Sequence, residues 1–89
     1  MIEGKRVNYT GQVQGVGFRY TVLEVARGYK VDGTVRNCAD GSVELQVQGE
    51  TGQVEQFLAA VGARMVDYIA NQTQKAVEPM AVTGFHIIR

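Results

Sequence analysis

Apolar and polar residues alternate with a period of two along four stretches of the chain. These stretches cover positions 6–13, 31–37, 42–48 and 83–87. Their apolar members are mostly β-branched or aromatic, so each stretch predicts a half-buried strand, the last one short. The second and third stretches are separated by Asp40-Gly41, a pair typical of a hairpin turn.

Two other stretches repeat apolar residues at helical spacing. The first predicts an amphipathic helix over Phe18–Tyr29. The second covers positions 54–65 and has Thr51 as its expected N-cap. From Val66 to Gln74 the pattern is weaker and predicts one further strand, with positions 72–75 as its ragged end or a loop.

The resulting order, β-α-β-β-α-β-β, predicts an α+β fold. We expect the ferredoxin-like split β-α-β sandwich, whose mixed sheet is covered by two helices on one face, with a short extra C-terminal strand. The first two strands run parallel in this fold, so their carboxyl ends lie at the same edge of the sheet. Gln14 leaves the first strand there and Asn37 leaves the second, so these distant stretches should converge.

The turn from the first strand into the first helix has the features of an anion site. It contains Gly15 and Gly17, which reach positive φ without a Cβ penalty, and it leads into a helix N-terminus. Arg19 adds a permanent cation with several fixed donors. The spacing matches neither a Walker A loop nor a dinucleotide fingerprint. The alternative interpretation is an ordinary glycine-rich turn with a surface arginine.

Composition narrows the possible functions. The 89 residues predict one domain, residues 1–89, and nine basic and nine acidic side chains cancel. This balance argues against broad electrostatic capture of nucleic acid or of an anionic membrane. One cysteine and one histidine cannot form a disulfide or a zinc site. We therefore expect no metal, no cofactor and, without an apolar leader or span, a cytoplasmic location.

Two separated motifs resemble those of a known family. The stretch Gly11–Arg19, GQVQGVGFR, resembles the first signature of the acylphosphatase family, and Gly33–Val43, GTVRNCADGSV, resembles the second, with Gly49 completing it. Positions 84–87 are similar to the last strand of that family. The resemblance covers nearly the whole chain.

Two positions near the end of the first helix depart from the family pattern. The family leads us to expect glycine where Lys30 stands and an aromatic residue where Thr34 stands. Either Gly28 forms a left-handed C-cap and shortens the helix, or Lys30 adopts a costlier turn. We expect both departures to affect stability more than chemistry.

The resemblance implies hydrolysis of acyl phosphates by a monomer that needs only its small-molecule substrate. Arg19 and Asn37 would be catalytic, with Asn37 orienting the attacking water. The phosphoryl group would be bound by Arg19 and the backbone N–H groups of a single loop, as would inorganic phosphate or sulfate. The loop consists of Gln14, Gly15, Val16, Gly17, Phe18 and Arg19. An acyl phosphate suits a site without acid, base or metal, because its carboxylate leaving group has a conjugate-acid pKa of about 4.

The competing interpretation is a non-catalytic ferredoxin-like module that binds an anion or nucleic acid. An RNA-binding sheet needs exposed aromatic residues and usually basic charge, but the third strand shows serine, glutamate and glutamines. A further possibility is the acylphosphatase-like domain of larger carbamoyl-transfer enzymes. Cys38 lies outside the anion loop and is interpreted as a small, half-buried side chain. His86, on the last strand, is interpreted as a surface residue.

Overall fold

A computed structural model describes residues 1–89, and its seven helices and strands follow the predicted order. The predicted α+β architecture is confirmed, with one five-stranded sheet and two helices. The elements are β1 (Ile2–Gly11), α1 (Phe18–Ala26), β2 (Val31–Asn37), β3 (Val43–Glu50), α2 (Thr51–Arg64), β4 (Ile69–Val77) and β5 (Phe85–Ile87).

The strand order β4-β1-β3-β2-β5 makes β1 and β2 parallel to each other. Each of them pairs antiparallel with β3, which lies between them. β4 pairs antiparallel with β1 at one edge, and β5 pairs parallel with β2 at the other. The carboxyl ends of β1 and β2 therefore point to the same end of the sheet, as predicted.

The hydrophobic core lies between the two helices and one face of the sheet. Alternate residues of the three central strands are buried there, as are the apolar stripes of α1 and α2. Phe57 of α2 packs against Tyr29 and Phe85, with ring centroids 6.2 Å and 5.4 Å away. The other face of the central strands carries polar side chains, because successive residues of a strand point to opposite faces of the sheet.

Helix α1 ends earlier than predicted, at Ala26 rather than Tyr29. Neither expected ending occurs, because Gly28 and Lys30 both lack positive φ. Instead the helix ends in a turn of the 3₁₀ type, in which the N–H groups of Arg27, Gly28 and Tyr29 donate to carbonyls three residues back. The Lys30 N–H then donates to the side-chain oxygen of Gln53, 2.8 Å away on α2. This long-range cap removes the need for a left-handed glycine.

Two other local predictions were wrong. Thr51 is the first residue of α2 rather than its N-cap; that position belongs to Glu50, and no side chain caps the helix. Strand β4 begins at Ile69, three residues later than predicted, because Tyr68 and Ile69 donate to the Met65 carbonyl in a turn. Positions 72–75 lie inside the strand. β4 is an edge strand exposed on both faces, so its sequence lacks alternation.

The connection 78–84 joins β4 to β5 across the sheet face that the helices leave uncovered. Gln48 of β3 holds it through both amide atoms, since Nε2 donates to the Met80 carbonyl at 2.7 Å and Oε1 accepts from the Met80 N–H at 2.5 Å. Asp32 of β2 accepts from the Gly84 N–H at 2.8 Å. These contacts lie at the amino end of β2, opposite the end to which Asn37 points.

Candidate active site

The site forms where β1 and β2 end at the same rim of the sheet. Residues 12–17 lead from β1 into α1, and Asn37 is the last residue of β2. Asn37 belongs to the same alternating row as the buried Val31 and Val35, so it lies on the helix-facing side of the sheet. A small pocket of about 110 Å³ forms between them, lined by Val13, Gly15, Gly17, Phe18, Arg19, Tyr20 and Asn37.

Gly15 and Gly17 give the loop its shape through their backbone angles. Their φ values are 78° and 77°, in the left-handed region, and Gly17 is the N-cap of α1. A Cβ added at either position would meet no neighbouring atom within 4 Å. Glycine is therefore favoured here by backbone conformation rather than by lack of space.

The loop leaves a run of hydrogen-bond donors without acceptors. The backbone N–H groups of Gly15, Val16 and Gly17 donate to no acceptor in the protein. Those of the first turn of α1 are unpaired as at any helix N-terminus, which also carries the positive end of the helix dipole. These groups surround a concavity suited to an anion.

The side chains of Arg19 and Asn37, which both line the pocket, are also free. The guanidinium of Arg19 takes part in none of the ion pairs of the protein, which involve Met1, Arg36 and Arg64 instead. Neither Arg19 nor the carboxamide of Asn37 makes a hydrogen bond to another protein group. Five fixed N–H donors of Arg19 and both a donor and an acceptor of Asn37 are thus available to a ligand.

Gln14 and Val16 do not line the pocket, unlike the other four loop residues expected to bind phosphate. The side-chain amide of Gln14 instead donates to two backbone carbonyls, that of Cys38 at 2.8 Å and that of Ser42 at 2.9 Å. Both acceptors belong to the β2–β3 turn, which begins directly after Asn37. Gln14 therefore ties the loop that carries the donors to the turn that directly follows Asn37.

The β2–β3 turn is stabilised by a compact polar cluster. Asp40 accepts from the hydroxyl of Ser42 at 2.6 Å and from its N–H at 2.9 Å. These two hydrogen bonds, the hydroxyl one first, hold the pKa of the Asp40 carboxyl below its usual value. Asn8 of β1 donates to the same Ser42 hydroxyl at 3.0 Å. This hydrogen bond fixes the turn to β1, near the carboxyl end of the strand from which the loop continues.

Phe18 holds the beginning of α1 against the sheet. Its ring is buried and packs on Tyr9, with ring centroids 5.0 Å apart. Burial raises the pKa of the Tyr9 phenol, so this residue stays neutral. The packing of Phe18 on Tyr9 fixes the first turn of α1, from which the side chain of Arg19 extends.

The remaining candidates lie elsewhere. Cys38 is half-buried and is not among the residues that line the pocket. His86 is exposed, and its Nε2 lies 2.6 Å from the Thr83 carbonyl oxygen. No three His, Cys, Asp or Glu side chains form a group that could hold a metal ion. Neither helix is long and apolar enough to cross a membrane.

Sequence patterns missed two residues of the pocket and the role of a third. Val13 was assigned to a strand, but β1 ends at Gly11 and Val13 is buried beneath the loop. Tyr20 falls on the polar side of α1 and carried no signal of its own. The two hydrogen bonds of Gln14 connect residues 24 and 28 positions apart, which no local pattern reveals.

Several known proteins are similar to this chain. The family model described as Acylphosphatase matches residues 5–87. A Clostridium acetobutylicum protein named acylphosphatase is 43% identical over 61 residues, which are 68% of this chain and 67% of that protein. A Bifidobacterium longum acylphosphatase is 50% identical over 62 residues, or 67% of this chain and 64% of that protein. The alignments thus span about two thirds of each relative.

Solved structures extend the likeness to the whole fold. The crystal structure of acylphosphatase from Bacillus subtilis superposes with a TM-score of 0.86 at 28% identity, and the match covers 100% of both chains. The sheet with its two helices is therefore shared from end to end.

Proposed function

The chain belongs to the acylphosphatase family, and on this basis we propose that it hydrolyses acyl phosphates to a carboxylate and inorganic phosphate. The observation that carries the proposal is the pocket itself. It combines two left-handed glycines, a free guanidinium and a free carboxamide in about 110 Å³. These groups can hold a phosphoryl group and a water molecule.

The phosphoryl group binds in the concavity of the loop. Its oxygens accept hydrogen bonds from the loop N–H groups and from the Arg19 guanidinium, whose planar fork matches a phosphoryl face. The same donors stabilise the charge that spreads over the three equatorial oxygens in the transition state. Inorganic phosphate and sulfate fit the same donors, so both should compete with substrate.

Asn37 aims the attacking water. A carboxamide offers a donor and an acceptor without charge, which suits it to orienting a water beside an anionic group. The water attacks phosphorus as the bond to the acyl oxygen breaks, with the entering and leaving oxygens roughly in line. Catalysis then rests on positioning and on charge stabilisation.

The proton balance needs no protein base. The leaving group departs as a carboxylate, whose conjugate acid has a pKa of about 4, so it needs no proton. The water gives its proton to a phosphoryl oxygen of the substrate, and the product is inorganic phosphate. Among the residues that line the pocket, no histidine, aspartate or glutamate is present to act as a base.

Phosphate release from acetyl phosphate in the presence of EDTA tests the proposal. We expect turnover, with inorganic phosphate as a competitive inhibitor, and no release from a phosphate monoester, whose alkoxide leaving group needs protonation. Binding of phosphate to the Gln14–Arg19 loop, followed by amide shifts, without any turnover would instead identify a non-catalytic anion-binding module.

The proposal also includes a monomer and a cytoplasmic location. The one cysteine is free, as is usual for a cytoplasmic protein. Sedimentation at working concentration and fractionation of cells that express the protein test these two points.

A further inference from the structure

The pocket is small. Sites that bury a drug-sized ligand are typically about 300–1,000 Å³, whereas this pocket measures about 110 Å³. It can hold the phosphoryl group and the attacking water. A bulky acyl group such as benzoyl must therefore extend to the mouth of the pocket, against side chains that surround the opening.

Tyr20 is the side chain best placed to meet the acyl group. It lines the pocket beside Arg19, in the first turn of α1, where side chains lean towards the helix N-terminus and hence over the loop. It is the most exposed aromatic residue of the protein, at 66%. Its ring takes part in none of the aromatic pairs, and its hydroxyl makes no hydrogen bond to another protein group.

The position of Tyr20 also agrees with an in-line reaction. Asn37 brings the water from the sheet, so the leaving carboxylate must depart on the opposite side of phosphorus. The face of α1 that packs on the core is formed by Phe18, Val22 and Val25. Tyr20 lies on the opposite, solvent-facing side of the helix, so a leaving group that departs away from the sheet would meet it.

The charges at the opening favour an uncharged acyl group. Arg19 is the only charged residue that lines the pocket, and its donors are occupied by the phosphoryl group. Glu24, one turn further along α1, is held in an ion pair by Arg64 of α2. No free cation at the opening remains for a second anionic group, while the exposed Val16 adds apolar surface to the loop.

We propose that Tyr20 is the residue against which the acyl group packs, and that it selects apolar, above all aromatic, acyl groups. This inference rests on the proposed acyl phosphate hydrolysis. Offset or edge-to-face contacts between aromatic rings favour binding by about two- to tenfold beyond the area that they bury. A ring on the substrate would gain this contact, and an acetyl group would not.

Kinetics with benzoyl phosphate and acetyl phosphate test the inference. We expect Tyr20→Ala to lower the ratio of kcat/KM for benzoyl over acetyl phosphate by about two- to tenfold. Tyr20→Phe keeps the ring and should keep the ratio. Tyr68→Ala is the matched control, because Tyr68 is also exposed, at 40%, but does not line the pocket. A ratio that Tyr20→Ala leaves unchanged would overturn the inference.

Binding of unreactive analogues separates this inference from the hydrolysis on which it rests. Benzylphosphonate and methylphosphonate carry the same anionic head and differ in the ring. We expect tighter binding of benzylphosphonate to the parent protein and loss of that preference in Tyr20→Ala. If the protein shows this Tyr20-dependent preference but no turnover, the proposed hydrolysis is refuted and the proposed contact between Tyr20 and an apolar group is retained. Equal affinities in the parent would overturn the contact itself, whatever the turnover.

Discussion

The two ends of the sheet use glycine for different purposes. At the rim, Gly15 and Gly17 have left-handed angles and open space around them. At the far end a Cβ on Gly4 would lie 2.7 Å from the Val77 carbonyl oxygen, beneath the connection 78–84. The rim leaves the N–H groups of residues 15–17 unpaired, whereas at the far end Gln48 and Asp32 pair with the backbone of the connection 78–84.

Each end also has one glutamine whose amide makes two hydrogen bonds to the backbone of a connecting segment. Gln14 holds the β2–β3 turn at the rim, and Gln48 holds Met80 in the connection 78–84. The chemistry of the two contacts is similar. Only Gln14 touches a segment next to the proposed site, namely the turn that follows Asn37. Loss of the Gln14 hydrogen bonds should therefore affect activity more than loss of the Gln48 hydrogen bonds.

The largest effect is expected at Arg19. Arg19→Lys keeps the charge but removes the planar fork, and arginines that stabilise phosphoryl transfer contribute about 10³–10⁵ in rate. We expect near-complete loss of acetyl phosphate hydrolysis with an unchanged unfolding midpoint. Arg64→Lys serves as control, because Arg64 pairs with Glu24 on the exposed helix surface and not at the rim. A lysine variant with half the parental activity would show that charge alone suffices.

Asn37 should come next. Loss of one positioned polar group costs about 10²–10³ in rate, so Asn37→Ala should lower kcat by that factor and bind phosphate almost normally. Asn37→Asp should be as inactive as the alanine variant and bind phosphate more weakly, since it places a carboxylate beside an anion. Steady-state kinetics and phosphate titration measure both effects. An active aspartate variant beside an inactive alanine variant would indicate a general base and refute the positioning role.

The two glutamines provide the direct comparison between the ends. Gln14→Ala and Gln48→Ala each remove two hydrogen bonds, at about 1 kcal/mol each in the free energy of unfolding. Only Gln14→Ala should also lower kcat, by roughly ten- to a hundredfold, because the turn that directly follows Asn37 is no longer held in place. Denaturant unfolding and kcat are measured on the same samples. Equal kcat values for the two variants would show that the contacts of Gln14 matter no more for catalysis than those of Gln48 at the far end of the sheet.

The smallest effects on activity are expected from alanine at the glycines away from the rim. Gly33→Ala places a Cβ against the Gln46 carbonyl oxygen and 2.9 Å from the Phe85 ring. Such overpacking costs about 1–3 kcal/mol, or a Tm decrease of about 4–8 °C per kcal/mol, with the activity of folded molecules retained.

At the rim, Gly15→Ala meets no clash, but an alanine with left-handed backbone angles costs about 1–2 kcal/mol and shifts the loop N–H donors. Retained activity in Gly15→Ala would separate loop shape from catalysis.

Local patterns were sufficient for most of the fold. Alternation located the central strands because one face of each is buried, and the order of elements was enough to expect Gln14 and Asn37 at one rim. Prediction failed where a distant contact decides the structure. The end of α1 depends on Gln53, 23 residues further along the chain from Lys30. The strand β4 is exposed on both faces, so burial leaves no period in its sequence.

For the candidate site, the sequence indicated the chemical groups but not all the contacts that position them. Glycine spacing and Arg19 indicated an anion loop because backbone angle and charge are local properties. The loop from Gln14 to Arg19 was expected to bind phosphate through its backbone N–H groups and Arg19, and no local pattern indicated that the side-chain amide of Gln14 donates to the neighbouring turn. Tyr20 was overlooked because an exposed helix position has no pattern of its own. Only the way in which the loop and helix fold together places its ring at the pocket.

The most direct test of the central claim is hydrolysis of acetyl phosphate in ¹⁸O-labelled water. The claim is that the loop holds the phosphoryl group while water attacks phosphorus. We expect the label in inorganic phosphate and none in acetate, by mass spectrometry of both products and with the uncatalysed background subtracted. Label in acetate would mean that water attacks the carbonyl carbon. That result would contradict a mechanism in which Arg19 and the loop bind the phosphoryl group and Asn37 aims the water at phosphorus.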